Sequence, residues 1–464
     1  MKKSFFILLF AGMLVSGITA QPKYTADWAS IDSRPIPQWY TDAKFGIFIH
    51  WGLFSVPAWG PLPSDGAGVY DCYAEWYWRK LVDPQFKVNP LFTAFHNKNY
   101  GENFKYQDFV KDFKCEMFNP DDWAKLFREA GARYVVLTSK HHDGFALWPS
   151  AQSWNWNAVD VGPHRDLAGD LSAAVKKEGL HMGFYYSLYE WFNPLYKENL
   201  EKYVDDHMIP QMKDLVTRYS PEIVWTDGEW EYPSEAWKSA EFLAWLYNES
   251  PVKSTVVVND RWGKETRCKH GGYYTTEYDL VHRDNVKDQK IAHAWEECRG
   301  IGNSFGYNRN ENLSDYSTSE QLVHLLIEKV AMGGNLLLNI GPTADGRIPV
   351  IMQQRLMDMG SWLKTNGDAI YDTAPWDVAK QPEINAFFTT KGKDLYVIFT
   401  KYPEKAVTIR NVGKKPTTVT LLGSNKPVKY AYGSKNVTIT PPQLSPASNP
   451  CEYAWVFKLS GCLQ

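Results

Sequence analysis

The sequence predicts a (β/α)8 barrel, a TIM-type barrel, followed by a small C-terminal antiparallel β-sandwich. Three observations carry that prediction. The chain has 464 residues, and a barrel of roughly 250 residues or more plus one small domain fits that length. Eight short apolar runs, at 45–50, 134–138, 181–187, 222–227, 254–259, 273–278, 292–298 and 335–340, alternate for the most part with helical patterns, which is the layout of a closed parallel sheet. Past about residue 372 the helical period stops, and short alternating runs such as 395–399 and 417–421 are split by Gly, Pro and Lys, as in an antiparallel sandwich. The expected division is a signal peptide over 1–20, a barrel over 21–371 and a sandwich over 372–464. A doubly wound open sheet is the alternative. No GxGxxG follows the first strand, which weighs mildly against it.

Taken in order, residues 1–20 read as a secretory signal: Lys2 and Lys3 precede a short apolar run, and Ala20 ends a small-residue site. The expected location is the periplasm or the exterior. No other stretch is long and apolar enough to span a membrane. Phe45-Gly-Ile-Phe-Ile-His-Trp51 is the first strand, with His50 at its end. Residues 55–118 form a long aromatic-rich excursion holding Glu75-Trp76-Tyr77-Trp78. Loops of that length carry function or are disordered, and the aromatics argue against disorder.

Asn119 and Pro120 start a helix as cap and first-turn proline, and Gly131 stops it. A strand then runs into Lys140-His-His-Asp-Gly144. Helices are expected at 166–178, near 198–219 and near 234–248. Thr318 and Gln321 make a capping-box pattern before another, and 350–365 is the last. The crossovers at the sixth and seventh strands lack a clear helical pattern.

Composition excludes some partners. The net charge is −3 with 15% aromatic residues, so no basic footprint points to nucleic acid. Six cysteines show no CxxC pair and no zinc spacing. In an exported chain Cys451 and Cys462 are a plausible local disulfide.

Strand ends of a barrel converge on one face, where barrel enzymes carry their chemistry. His50, His141, His142, Tyr185, Trp225, Asp227, Arg261 and Glu277 all fall at or just past such ends. Asp227 precedes Gly228, so the plain reading is a turn aspartate. Glu277 reads plainly as a solvent-facing residue or a partner of Arg261. Together they form the carboxylate pair that glycoside hydrolysis needs, one as nucleophile or base and one as proton donor. Glu296 is a rival donor; Glu277 is preferred, because the donor must reach the glycosidic oxygen beside the nucleophile. Adjacent histidines on a strand point to opposite faces, and no HxxxH supports zinc, so sugar hydroxyls suit His141 and His142 better than a metal. Neither metal nor cofactor is expected. Trp76 could wall a sugar pocket and Glu75 could accept from hydroxyls.

The same residues carry a resemblance. Phe45-Gly-Ile-Phe-Ile-His-Trp-Gly52, Ser139-Lys-His-His-Asp-Gly-Phe145, Trp225-Thr-Asp-Gly228, Asn259-Asp-Arg-Trp262, Trp295-Glu-Glu-Cys298, Ser304-Phe-Gly-Tyr-Asn308 and Gly333-Gly-Asn-Leu-Leu-Leu-Asn-Ile-Gly-Pro342 resemble retaining α-L-fucosidases of glycoside hydrolase family 29. The resemblance spans about residues 30–375 and implies exo-action on fucosylated oligosaccharides or glycoconjugates. It implies Asp227 as nucleophile and Glu277 as acid/base, with Glu296 open because that assignment varies in the family. His50, Glu75, Trp76, His141, His142, Tyr185 and Arg261 match positions that bind fucose. Phe48, Trp225 and Phe305 match the pocket for its C6 methyl. Retention calls for carboxyls roughly 5–5.5 Å apart. The same barrel acting on an α-L-galactoside, or a fucose-binding protein without turnover, are the alternatives.

Overall fold

The computed structural model describes residues 23–279 and 293–463; the expected signal over 1–20 lies outside them. Eight strands form one parallel curled sheet in the order β5-β4-β3-β2-β1-β8-β7-β6. They are β1 Phe45–Ile49, β2 Tyr134–Lys140, β3 His181–Ser187, β4 Ile223–Asp227, β5 Val257–Val258, β6 Tyr274–Glu277, β7 Trp295–Gly300 and β8 Asn335–Ile340. The two ends of that order meet. The amides of Gly272 and Tyr273 donate to the carbonyls of Asn259 and Val258, each at 3.1 Å. A Cβ at residue 272 would lie 1.7 Å from the Val258 oxygen, so the closing contact requires glycine.

The fifth strand and the helix expected near 198–219 depart from expectation for local reasons. The fifth strand loses its first half because the amides of Thr255 and Val256 donate to Val252 O, at 3.0 and 2.9 Å, and wind that stretch into a turn. The helix expected near 198–219 is Leu200–Tyr203, a wide turn over Val204–Met208, and Ile209–Tyr219. Pro210 has no amide to give the preceding turn, and a π-type turn absorbs the mismatch.

Other helices sit where their caps place them. Asn119 Oδ1 accepts from the amides of Asp121 and Asp122, at 3.1 and 3.3 Å, opening helix Pro120–Glu129. The Thr318 hydroxyl accepts from the Gln321 amide at 3.2 Å while Gln321 Oε1 accepts from the Thr318 amide at 2.8 Å, opening Ser319–Ala331. Such a box satisfies two amides a helix start leaves open. The connection from β5 to β6 is made of turns, and that from β6 to β7 falls largely on residues outside those described.

The long excursion is ordered. It holds helices Tyr77–Val82 and Asn89–Asn99, packed through aromatic pairs such as Trp59 stacked on Phe95 at 4.5 Å. Buried Lys80 ties it down, its Nζ donating to the carbonyls of Tyr70, Asp71 and Tyr73 at 2.5, 3.0 and 3.1 Å.

The carboxyl-terminal part is antiparallel. β9 Ala374–Gln381, β10 Ala386–Lys391, β11 Asp394–Phe399, β13 Thr418–Leu421 and β16 Trp455–Ser460 make a five-stranded sheet. β12 Val407–Ile409, β14 Lys429–Gly433 and β15 Asn436–Thr440 make a three-stranded one. Phe388, Val397, Ile409, Val437, Phe457 and Leu459 share their core. The Trp362 indole donates to Ala454 O at 2.8 Å and anchors this part to the barrel helix Val350–Asn366. The expected Cys451–Cys462 disulfide is absent. Cys451 and Cys462 are both free thiols; Cys451 Sγ donates to Ala454 O and Cys462 Sγ to Leu459 O, each within its own turn.

Candidate active site

Strand alternation sends every second side chain into the barrel. On β4 this aligns Ile223, Trp225 and Asp227, and the last reaches the carboxyl-terminal rim. There a cavity of ≈ 360 Å³ opens, lined among others by Phe48, His50, Glu75, Trp76, His141, His142, Tyr185, Trp225, Asp227, Arg261, Glu277 and Phe305. Twelve of the thirteen residues singled out from the sequence thus surround one space. That volume suits a small ligand.

Arg261 organises the acids. Its guanidinium is buried and donates through Nη1 to Asp227 Oδ1 at 2.8 Å and through Nη2 to Glu277 Oε2 at 3.3 Å. The plain reading of Glu277 as an Arg261 partner therefore holds, together with its place in the pocket. Nε donates to Thr275 Oγ1 at 3.0 Å, and the group lies 4.4 Å from the centre of the Trp225 ring. The other oxygen of each acid has its own donor: Tyr185 OH to Asp227 Oδ2 at 3.1 Å, and Tyr73 OH to Glu277 Oε1 at 2.9 Å. Burial pushes the Asp227 carboxyl up, but the guanidinium of Arg261, with that of Arg267, outweighs it and holds the group below its usual range. Asp227 is ionised, as a nucleophile requires.

Glu296 is not in this cavity. On β7 it pairs with Thr275, whereas Cys298 pairs with Glu277. It therefore sits one layer deeper, fully buried, accepting from Tyr40 OH at 2.9 Å, Tyr134 OH at 2.6 Å and Trp225 Nε1 at 3.0 Å. Through that last bond it orients the Trp225 ring. Burial raises its pKa to about 7. A raised carboxyl pKa means the folded state holds a proton that the unfolded chain releases above its ordinary value. Its contribution is full below pH ~4.5 and is lost as pH rises through ~7, a change on the order of 3 kcal/mol. Glu296→Gln is expected to flatten the fall in thermal stability between those pH values, measured by calorimetry.

His50 and His142 are fixed as neutral acceptors by what their Nδ1 atoms meet. Asn339 Nδ2 donates to Phe305 O at 2.6 Å, so its Oδ1 is left to accept from His50 Nδ1 at 2.7 Å. Ser187 Oγ donates to Tyr189 O at 2.7 Å and so accepts from His142 Nδ1, also at 2.7 Å. Burial pushes His50 down to about 3 and His142 to about 4. Each Nε2 is therefore a lone pair, and that of His142 lies 3.9 Å from Asp227 Oδ2. A hydroxyl can donate to either. Among the described residues the buried His141 Nδ1 has no hydrogen-bond partner, which leaves a polar position for a ligand to fill. Both histidines of the pair reach the pocket, contrary to a simple strand alternation, because the chain turns past Lys140, where β2 ends; their ring centres are 4.1 Å apart.

Glu75 comes from the excursion. Its Oε2 accepts from the Gly306 amide at 2.8 Å and Ser304 Oγ at 3.3 Å, and burial raises it to about 7. The Trp76 ring packs on His142 at 5.1 Å. Phe48, Trp225 and Phe305 give the apolar wall, with Phe48 5.1 Å from Trp225 and 6.3 Å from Phe305. Sequence reasoning missed Tyr73 and Arg267. Arg267 Nη2 lies 3.7 Å from Asp227 Oδ1 while its Nε donates to Glu229 at 2.6 Å. Both come from irregular segments, where no periodicity marks an inward side chain.

Known proteins resemble the chain along nearly its whole length. The sequence profile of the alpha-L-fucosidase family matches residues 13–368, and that of the alpha-L-fucosidase C-terminal domain matches 381–460. Tissue alpha-L-fucosidase of Homo sapiens is 45% identical over 469 residues, covering 98% of this chain and 96% of the human protein. That of Bos taurus is 45% identical over 454 residues, covering 96% and 92%. The Thermotoga maritima alpha-fucosidase in complex with a mechanism-based inhibitor superposes with a TM-score of 0.79 at 36% identity, over 94% of this chain and 99% of that one. The same enzyme in complex with fucose gives 0.78 at 36%, over 94% and 99%.

Proposed function

The chain belongs to the alpha-L-fucosidase family of glycoside hydrolases, and we propose that it is an exported, exo-acting enzyme releasing terminal L-fucose with retention of configuration. One observation carries this reading: two carboxylates from different strands share one guanidinium inside a pocket with an apolar wall. Asp227 attacks the anomeric carbon and forms a glycosyl ester. Glu277 gives its proton to the departing glycosidic oxygen, then takes one from the water that cleaves the ester. Two inversions at one carbon give net retention. Glu296, a layer below the pocket, has no path to that oxygen, which favours Glu277.

The sugar's hydroxyls meet neutral imidazole acceptors at His50 and His142, the open His141 and the Glu75 carboxyl. Phe48, Trp225 and Phe305 receive the C6 methyl. An apolar wall favours a methyl and only weakly rejects a hydroxyl, so an α-L-galactoside is expected to react slowly rather than not at all. Trp76 walls the site. Export follows from the positive, then apolar, start of the sequence. Proton NMR of freshly formed product tests the stereochemistry. α-L-Fucose is expected first, with the β anomer appearing only by mutarotation; β first means a single displacement and ends the reading.

A further inference from the structure

A second cavity, of ≈ 390 Å³, is lined by Glu229, Trp230, Lys264, Glu265, Arg267 and Lys269. Trp230 and Arg267 line the catalytic pocket too, so the two spaces share a wall. Glu229 and Trp230 follow β4, and residues 264–269 lie in the connection from β5 to β6. These are the loops of the rim that carries Asp227 and Arg261. Whatever is attached to a sugar held in the pocket has to leave over this rim.

The charges here do not cancel. Arg267 is engaged by Glu229 at 2.6 Å. Glu265 accepts from the Ser234 amide at 3.0 Å and its hydroxyl at 2.5 Å. Lys264 and Lys269 are exposed, and among the described residues neither forms an ion pair. Beside them the Trp230 side chain is 40% exposed, with its ring centre 5.4 Å from that of His142. An exposed indole presents an apolar face on which the carbon face of a sugar can pack. The lining carries three cations, Lys264, Arg267 and Lys269, against the two carboxylates of Glu229 and Glu265, so a flat ring stands next to two ammonium groups on a rim of net positive charge, one step outside the catalytic pocket.

We propose that this cavity is a leaving-group site that selects acidic fucosylated glycans, with Trp230 packing on the sugar that bears the fucose and Lys264 and Lys269 binding a sulfate ester or carboxylate on that chain. The inference rests on the fucosidase reading and names its substrate class. Attraction between exposed charges is screened by salt, so the selectivity carries an ionic-strength signature that shape complementarity alone does not.

The test compares kcat/KM for the full chain and for a Lys264→Gln/Lys269→Gln variant. The substrates are nitrophenyl α-L-fucoside, a neutral fucosylated disaccharide, the same disaccharide with one sulfate ester, and a sialylated analogue. At low salt the unsubstituted enzyme is expected to prefer at least one acidic substrate by about three- to tenfold over the neutral one, the scale of two exposed ion pairs. That preference is expected to vanish in about 0.5 M salt and in the double variant, with the nitrophenyl rate unchanged. Which acid is preferred distinguishes sulfate from carboxylate. Equal kcat/KM for neutral and acidic glycans overturns the proposal, as does a preference that survives both salt and substitution. Absence of nitrophenyl fucoside turnover by the unsubstituted enzyme is a different result: it removes the fucosidase reading itself.

Discussion

Asp227→Ala is expected to lower kcat on an aryl fucoside by about 10⁴- to 10⁶-fold, the scale on which loss of a nucleophile acts. The fold should survive. The side chain stands at the carboxyl end of β4, at the pocket rather than in the core, and the replacement frees donors of Arg261 and Tyr185 that water can reach. Azide should restore turnover, because a small anion fits the space the carboxylate leaves and attacks the same carbon. It then displaces the leaving group once, so the product is the fucosyl azide of inverted configuration. Chromatography and NMR of that product check the outcome. Undiminished turnover in the variant removes Asp227 from the mechanism.

Glu277→Ala is expected to separate substrates by their need for a proton. A substrate with a poor leaving group, such as a fucosylated disaccharide, should lose about 10²- to 10⁴-fold in kcat/KM, the usual contribution of general acid catalysis. A dinitrophenyl fucoside, whose leaving group departs unprotonated, should lose far less. Azide here intercepts the ester already formed on Asp227. The second displacement cancels the first, and the fucosyl azide keeps the configuration of the substrate. Opposite stereochemistry of the two rescued products thus assigns the two acids separately. Glu296→Gln should show neither leaving-group discrimination nor azide rescue. If it shows both, the proton donor is the deeper acid.

Much of this arrangement can be read from residue order because the barrel makes it so. A strand end is a position in sequence, and barrel closure turns strand ends into neighbours in space. His50, Tyr185, Asp227 and Glu277 are legible for that reason. The helices are legible where a side chain must satisfy open amides, as Asn119 and Thr318 do. Depth along a strand is harder. The seventh apolar run reads as 292–298, while β7 is Trp295–Gly300, and that shift along the chain moves Glu296 from the rim to the interior. The difference shows in the register against β6, which no single segment contains. Tyr73 and Arg267 are illegible for another reason: their segments have no period, and only the tertiary fold brings Tyr73 to Glu277. The tempting Cys451–Cys462 pair does not form; each thiol instead donates to a carbonyl within its own turn.

The centre of the account is a covalent ester on one aspartate. Incubation with a 2-deoxy-2-fluoro fucosyl donor carrying a good leaving group slows hydrolysis of that ester more than its formation, so it accumulates. Peptide mass spectrometry of the digested, inactivated enzyme should then find one added fluorofucosyl group on the fragment containing Asp227. Label on another carboxylate, or inactivation with no label at all, contradicts the account.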